Sequence, residues 1–261
     1  MQADQSRNEA DAVQTMVARM IALSPVGQNL LLIGGFRYRL IDHSSRISRD
    51  VDYHWTGNLV RKQEEMLSLL QKRVLPALKR EFGYEGRVDP ASGPEADSPS
   101  VRSIVLSVWR PDPPGGRLEI PVEITKVSCA DAPDIRTVDG VIYPTVSDAD
   151  QIENKVISVF NRLHLQHRDL VDIFLFSSKL LPDSPARLKE KLRALGVGPD
   201  VIDRKMKDFS EHSAYHAKAI QAVIDSQLDP VAAANIAAAG GGGMILERVV
   251  QILQTMVCSK S

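Results

Sequence analysis

The chain has 261 residues, of which 43% are hydrophobic and 25% are charged, a composition that excludes a disordered protein. Its formal net charge of −1 excludes a general electrostatic attraction to nucleic acid, so any polyanionic substrate must be held by a local basic patch or a metal ion. Two cysteines are too few for a disulfide framework. We find no signal peptide pattern and no apolar run of roughly 18–20 residues, and therefore expect a cytoplasmic protein without a membrane segment.

The first predicted elements lead to a glycine pair. Residues 5–22 have the apolar stripe of an amphipathic helix, and the apolar run 30–33 is short enough to be a buried strand. Gly34 and Gly35 follow at once and predict a tight, exposed turn, after which 36–43 would form a helix. Glycine lets the backbone approach a ligand closely, and the first N–H groups of a helix favour a phosphate at that point.

Two aspartates follow on a predicted strand. In residues 46–53 apolar and polar residues alternate, so Asp50 and Asp52 should project from one face. At roughly 6.5–7 Å apart, two such carboxylates repel by roughly 2–3 kcal/mol at an effective dielectric constant near 20. A hard cation, Mg²⁺ or Mn²⁺, would remove that cost. The alternative is that both aspartates lie on the solvated face of an antiparallel strand.

The next elements are a long helix and a hairpin. Residues 59–82 read as a helix that Pro76 should bend or break. Residues 103–109 and 117–125 read as two strands joined by a turn at 111–116. Because proline cannot donate to a sheet, Pro121 predicts a free edge or a bulge in the second strand.

Two glutamates share the polar face of that second strand. Its apolar residues alternate with Glu119 and Glu123, which are four residues apart and should therefore point in the same direction. Both are candidates for a further carboxylate ligand, and both are equally compatible with a solvated surface.

Residues 130–145 read as a loop and a short strand, and the residues after them predict helices. Asp148 or Asp150 can cap a helix over 149–163, and a second helix is expected over 168–180. Basic residues between 187 and 207 could form an RNA patch, but the acidic residues among them favour a solvated helix face. His212 and His216 have the spacing of zinc ligands, yet no third ligand is apparent, so we expect exposed histidines.

The glycine pair and the two aspartates resemble a known motif. The order of strand, Gly34-Gly35, helix and then RISRDVD at 46–52 is similar to the opening motif of the polymerase-β-like nucleotidyltransferases, most closely the AbiEii/AbiGii-type toxin branch. Phe36 and Arg37 stand where that branch usually has Thr and Ala. Further along, Lys155 and the segment RDLVD at 168–172 resemble the lysine and the R-D-x-x-D motif of the same branch.

The resemblance implies roles for individual residues. It implies a third carboxylate on a strand beside the two aspartates, for which Glu123 is the first choice and Glu119 the alternative. The implied metal ligands are Asp50, Asp52 and Glu123, the implied nucleotide-binding residues are Gly34, Gly35, Arg46, Ser48 and Lys155, and the implied base or orienting group is Asp169. Without the resemblance, Lys155 would be an ordinary solvated helix lysine.

We therefore expect an α/β (α+β) chain, with a nucleotidyltransferase domain at 1–146 built on a small mixed sheet and a helical domain at 147–261. The resemblance implies a Mg²⁺-dependent transfer of NMP from an NTP to an acceptor hydroxyl on tRNA or protein. It also implies a toxin with a cognate antitoxin as partner. The alternative is a catalytically inactive protein of the same fold that serves in binding or scaffolding.

Overall fold

The computed structural model describes residues 2–91, 99–111 and 116–257, with side chains from residue 9 onward. The predicted turn at 111–116 lies mostly outside the described residues, as does much of the segment between 91 and 99. The chain forms two compact units. The first unit comprises Met1–Val127 and Pro133–Val146, and the second unit comprises Ser128–Ala132 and Ser147–Ser261.

The first unit is built on a mixed sheet. In the described part of the chain its strands are β1 (Leu31–Ile33), β2 (Val51–His54), β3 (Glu85–Pro90), β4 (Val101–Trp109), β5 (Leu118–Thr125), β6 (Asp134–Val138) and β7 (Val141–Thr145). Their order is β3-β4-β5-β2-β1-β7-β6. The pairs β2–β5 and β1–β7 are parallel, and the other neighbours are antiparallel. The expected α/β (α+β) class with a mixed sheet is therefore confirmed.

Alternation along the strands separates the two faces of this sheet. Val51 and Tyr53 of β2 and Val122 and Ile124 of β5 are buried in the core. The same core contains side chains from the helices α1 (Gln2–Ala22) and α3 (Leu59–Leu69). The intervening residues of these strands lie on the opposite face, which carries the polar side chains.

The long helix predicted over 59–82 is interrupted before Pro76. After α3, Leu70–Val74 forms a π-helical turn, and α4 (Leu75–Phe82) then continues to Gly83. Proline has no N–H to donate to the preceding turn, and here the helix widens to a π-helical turn just before it. The predicted bend or break thus takes the form of a wider turn, and helical residues continue without a gap from Leu59 to Phe82.

The hairpin formed by β6 and β7 was missed in the sequence, where residues 130–145 read as a loop and a short strand. Its two-residue connection is Asp139-Gly140, and both residues have positive φ, +48° and +74°. Asp-Gly between two apolar runs is the strongest local signal for such a hairpin. The signal was therefore present in the sequence.

The second unit is helical. Its described helices are α5 (Asp148–Asn161), α6 (His167–Phe176), α7 (Ser184–Ala194), α8 (Pro199–Glu211), α9 (Ser213–Gln227), α10 (Pro230–Ala238) and α11 (Gly241–Val257). The cap of α5 is Ser147, whose hydroxyl accepts a hydrogen bond from the Asp150 amide, so both predicted caps were wrong. Within the described residues no single helix is long and apolar enough to cross a membrane, although the bent pair α10–α11 together meets that length and composition.

A buried ionic cluster joins α5 to α7. Asp150 and Glu153 of α5 are fully buried, and Lys191 of α7 forms ion pairs with both carboxylates. Arg187 also contacts both, and it binds Asp131 at 2.8 Å. Lys191 is thus buried and the Arg187 side chain is only 14% exposed, so the predicted solvated basic face is wrong at these two positions.

Hydrogen bonds complete the cluster. Ser184 donates to Glu153 at 2.7 Å. The backbone amides of Ala130 and Asp131 donate to Asp150. Burial alone would raise the pKa of Asp150, but the hydrogen bonds from Lys191 and these amides lower it below its ordinary value. The segment Ser128–Ala132 therefore belongs to the second unit because its amides are bound there.

We expect Lys191→Met to lower the free energy of unfolding by about 3–5 kcal/mol, because it leaves two buried carboxylates short of a cation. Urea unfolding measures this loss. The matched control is Lys207→Met, since Lys207 is exposed and pairs with Glu211 at i,i+4 on the helix surface. The control should change stability by no more than about 0.5 kcal/mol. Equal losses of unfolding free energy in the two variants would show that the buried cluster contributes no more than a surface ion pair.

Candidate active site

The glycine pair is the start of a helix and not an exposed turn. Helix α2 (Gly34–Asp42) begins at Gly34, which has φ +77°, and Gly35 is buried. A Cβ at Gly34 would lie 2.0 Å from Asp52 Oδ2, and a Cβ at Gly35 would lie 2.0 Å from Arg46 Nη2 and 2.8 Å from Ser48 Oγ. Both positions therefore need glycine, because motif side chains occupy the space of the missing Cβ atoms.

Helix α2 is anchored by Arg37, one of the two residues that depart from the family pattern. Its guanidinium is fully buried, forms an ion pair with Asp42 at 2.6 Å and donates to Thr145 Oγ1 at 3.2 Å. Thr145 in turn donates to the backbone carbonyl of Leu32 at 2.7 Å. These bonds join the helix that follows the glycine pair to β7 and β1, so the start of α2 is held firmly.

Arg46, Ser48 and Asp50 form the segment that leads into β2. Arg46 and Ser48 are both buried, and Ser48 donates to Asp50 Oδ1 at 2.8 Å. The predicted strand over 46–53 is shorter in the structure, because β2 begins at Val51 and Asp50 directly precedes it. The Asp50 carboxylate is thus oriented by Ser48, while Asp52 belongs to the strand itself.

Asp52 and Glu123 are direct neighbours in the sheet. Asp52 of β2 pairs with Glu123 in the parallel β2–β5 ladder, and Glu123 pairs on its other side with Ser103 of β4. Strands paired in this way lie about 4.8 Å apart, and paired residues project to the same face. Both carboxylates are half-buried. Two acidic side chains that are 71 residues apart in the sequence therefore meet beside the start of α2.

Glu119, the alternative ligand, lies elsewhere. It pairs with Ser107 of β4, and its side chain is 57% exposed and ion-paired to Arg117 at 3.0 Å. The β2–β5 ladder covers Val122–Thr125 of β5, so Glu119 lies beyond the end of that pairing. Pro121 is just outside the same ladder, at a position where its missing N–H breaks no bond to β2.

One buried residue on this face was not singled out in the sequence. His54 lies two residues after Asp52 and therefore on the same side of β2. Its Nδ1 accepts the Val127 amide proton at 3.0 Å, so the neutral ring carries its proton on Nε2. Strand alternation alone could have placed it beside the aspartate.

The carboxylates have the chemistry of a site for Mg²⁺ or Mn²⁺, which prefer oxygen ligands. Asp52 and Glu123 are brought together, and Asp50 accepts a hydrogen bond from Ser48. Across residues 2–91, 99–111 and 116–257, however, no group of three or more Asp, Glu, His or Cys side chains is arranged to hold a metal ion. These residues therefore fit a metal ion as two adjacent carboxylates, Asp52 and Glu123, with a third, Asp50, two residues before Asp52 in the sequence.

The second unit brings the other predicted residues together. Lys155 Nζ lies 2.7 Å from Asp169 Oδ1 and 3.0 Å from Asp172 Oδ2, and Arg162 binds Asp169 at 2.9 Å. Both aspartates are buried, and Lys155 is only 14% exposed, so its interpretation as a solvated lysine is wrong. Burial alone would raise the pKa of Asp169, but Lys155 and Arg162 lower it below its ordinary range. A carboxylate with a lowered pKa is a weak base, so Asp169 is better suited to orienting Lys155 than to accepting a proton.

Comparison with known proteins identifies the fold. No family model matches the chain, and no curated protein matches it. Among solved structures it is similar to MenT4, a nucleotidyltransferase toxin of Mycobacterium tuberculosis, with a TM-score of 0.50, 20% identity and 93% of each chain covered. It also aligns with JHP933 from Helicobacter pylori, with a TM-score of 0.49 and 16% identity over 96% of this chain and 94% of the other. The likeness to MenT4 shows that the chain has the fold of that protein.

Proposed function

We propose that this protein is a metal-dependent nucleotidyltransferase that transfers NMP from an NTP to an acceptor hydroxyl of a tRNA or a protein. The observation that carries the proposal is the β2–β5 register, which places Glu123 beside Asp52. A second observation supports it, because Gly34 and Gly35 at the start of α2 are in close contact with Asp52, Arg46 and Ser48.

Asp52, Glu123 and Asp50 would hold Mg²⁺ or Mn²⁺, which when bound supplies activation of the acceptor hydroxyl and neutralisation of phosphate charge. The chain's own groups bind and orient the nucleotide. The amides at the start of α2 favour the triphosphate, and the buried Arg46 guanidinium beside Gly35 offsets its charge. Ser48 fixes the Asp50 carboxylate through its hydrogen bond.

Lys155 is proposed as a second cation for the triphosphate. Asp169 and Asp172 hold its ammonium group in place, so Lys155 loses little side-chain entropy when it contacts the triphosphate. In this role Asp169 orients the lysine, in agreement with its lowered pKa.

We further propose that the protein is the toxin of a toxin–antitoxin pair, acting in the cytoplasm with a cognate antitoxin as partner. The support is the resemblance of its motifs to the AbiEii/AbiGii-type branch. The alternative is a catalytically inactive protein of the same fold that serves in binding or scaffolding. Incubation with Mg²⁺ and each labelled NTP, with total RNA and total protein as acceptors, separates the two, since only the enzyme labels an acceptor.

Glu123→Gln should lower transfer activity by several orders of magnitude, because it removes a carboxylate adjacent to Asp52. Glu119→Gln is the matched control and should cost tenfold or less, on the order of 1.4 kcal/mol, because Glu119 pairs with Arg117 away from the site. Initial rates with a labelled NTP measure both. The opposite ranking would exclude Glu123 as the third carboxylate.

Asp52→Asn should raise the melting temperature of the metal-free protein while it abolishes transfer. Like charges directly opposite in a sheet cost about 0.2–1 kcal/mol, which corresponds to at most about 4 °C in a chain of this size. Mg²⁺ or Mn²⁺ should raise the melting temperature of the wild type and of Glu119→Gln but not that of Asp52→Asn. An Asp52→Asn protein with wild-type activity or with the same metal-induced shift would remove the metal assignment.

Lys155→Ala should weaken NTP binding about ten- to a hundredfold, the loss of a charge-assisted contact worth roughly 1.5–3 kcal/mol. It should also lower the free energy of unfolding by about 3–5 kcal/mol, since two buried aspartates lose a cation. Calorimetry with a non-hydrolysable NTP and urea unfolding measure the two effects. Arg162→Ala, which removes the other cation from Asp169, should lower stability but leave NTP affinity unchanged. Unchanged affinity in Lys155→Ala would leave that lysine with a structural role alone.

A further inference from the structure

A chain of hydrogen bonds runs through four side chains of the second unit. His167 Nε2 lies 3.0 Å from His216 Nδ1, His216 Nε2 lies 3.0 Å from Asp208 Oδ2, and Asp208 Oδ1 lies 2.9 Å from His212 Nδ1. His212 is exposed as the sequence predicted, but His216 is buried, so the expectation of an exposed histidine is wrong there. The nucleotide site proposed above uses none of these residues. We call His167 and His216 the histidine pair.

The hydrogen bonds limit how many protons the pair can hold. A carboxylate oxygen only accepts, so His216 donates to Asp208 from Nε2. When His216 is neutral, its Nδ1 must then accept from His167 Nε2–H. If both rings are protonated, two N–H groups face each other across 3.0 Å and the bond is lost. The pair is therefore stable with at most one added proton.

The surroundings also oppose protonation. The pKa of His167 is lowered first by burial and then by repulsion from His216. His167 is the first residue of α6, and a positive charge at a helix N-terminus is unfavourable. Tyr215 and Phe209 cover the rings with edge contacts and contribute no negative charge. Among the described charged side chains in direct contact with the histidine pair, Asp208 favours protonation, because its carboxylate is negative. That carboxylate also binds His212, so its charge is shared between two rings.

The pair anchors the beginning of α6. The residue before it, Gln166, makes no side-chain capping bond, so the imidazole of His167 is a specific side-chain anchor for this helix start. Two residues further on, Asp169 binds Lys155 and Arg162. A loosened first turn of α6 would therefore also loosen those ion pairs.

We propose that the histidine pair is an acid-sensitive latch that holds the start of α6 to α9 when neutral and releases it when both rings are protonated. The sign follows from linkage: a histidine that resists protonation in the fold contributes stability that is complete above its unfolded pKa, about 6.5, and is lost as the pH falls below it. The latch would operate whether or not the protein transfers nucleotides.

Hydrogen exchange tests the latch at the Asp169 amide, which donates to the Gln166 carbonyl, and at the amides of residues 171–173, which follow the first turn of α6. After correction for the intrinsic pH dependence of exchange, wild-type protection should fall severalfold between pH 7.5 and pH 5. In His167→Gln the amide nitrogen of the new side chain can replace Nε2–H as donor to His216, but it does not titrate, so this fall should disappear. His164→Gln is the control, because His164 is exposed and outside the chain of bonds, and it should behave as the wild type does. Identical pH dependence in His167→Gln and the wild type would overturn the proposal.

A titration of the wild type gives an independent answer if the variant does not fold. NMR of the histidine rings should show that the pKa of His167 lies below the ordinary histidine value. A loss of the His167–His216 contact should accompany their second protonation. Protonation of His167 in the ordinary histidine range, with its contact to His216 retained at pH 5, would overturn the proposal.

Discussion

The parallel pairing of β2 with β5 is the constraint on which the candidate site depends. Side chains alternate along both strands, so the register that buries Val51 and Val122 in the core also places Asp52 beside Glu123 on the other face. A slip of one residue would move the carboxylates into the core and the valines out of it. The hydrophobic core therefore fixes the position of the polar site, although the two share no side chains.

The glycine pair adds a second constraint, since it brings backbone and not side chains next to the carboxylate face. Asp52 and Arg46 occupy the positions that Cβ atoms of larger residues would need. Arg37 then fixes the helix to β7, so the start of α2 cannot retreat from these side chains. Close approach and rigid anchoring are the two features that a phosphate site at a helix start requires.

Local patterns predicted the elements of this arrangement but not their contacts. Alternation was sufficient to find β4 and β5 and to place Glu119 and Glu123 on one face. The choice between the two glutamates depends on where β2 ends along β5, and that pairing joins segments about 70 residues apart. The β6–β7 hairpin shows the reverse case, because its Asp139-Gly140 turn is a local signal that was present and was not used.

Burial of charged residues was the least predictable property. Arg187 and Lys191 read as solvated because most basic residues are, and without the resemblance Lys155 would be read in the same way. In the structure their partners come from other helices, which carry Asp150, Glu153, Asp169 and Asp172. Nothing in the local sequence of α7 indicates that carboxylates some 40 residues earlier lie against it.

Helix α5 shows what this burial provides. It directs Asp150 and Glu153 toward α7 and Lys155 toward α6, so three charged residues within two turns select the partners of both neighbouring helices. Buried ion pairs add little net stability compared with apolar packing, but an incorrect alignment would leave a buried charge without a partner. The ion pairs therefore define the alignment of α5 with α6 and α7. The same alignment holds the Lys155 ammonium in one orientation. A solvated lysine at that position would be free to adopt many orientations.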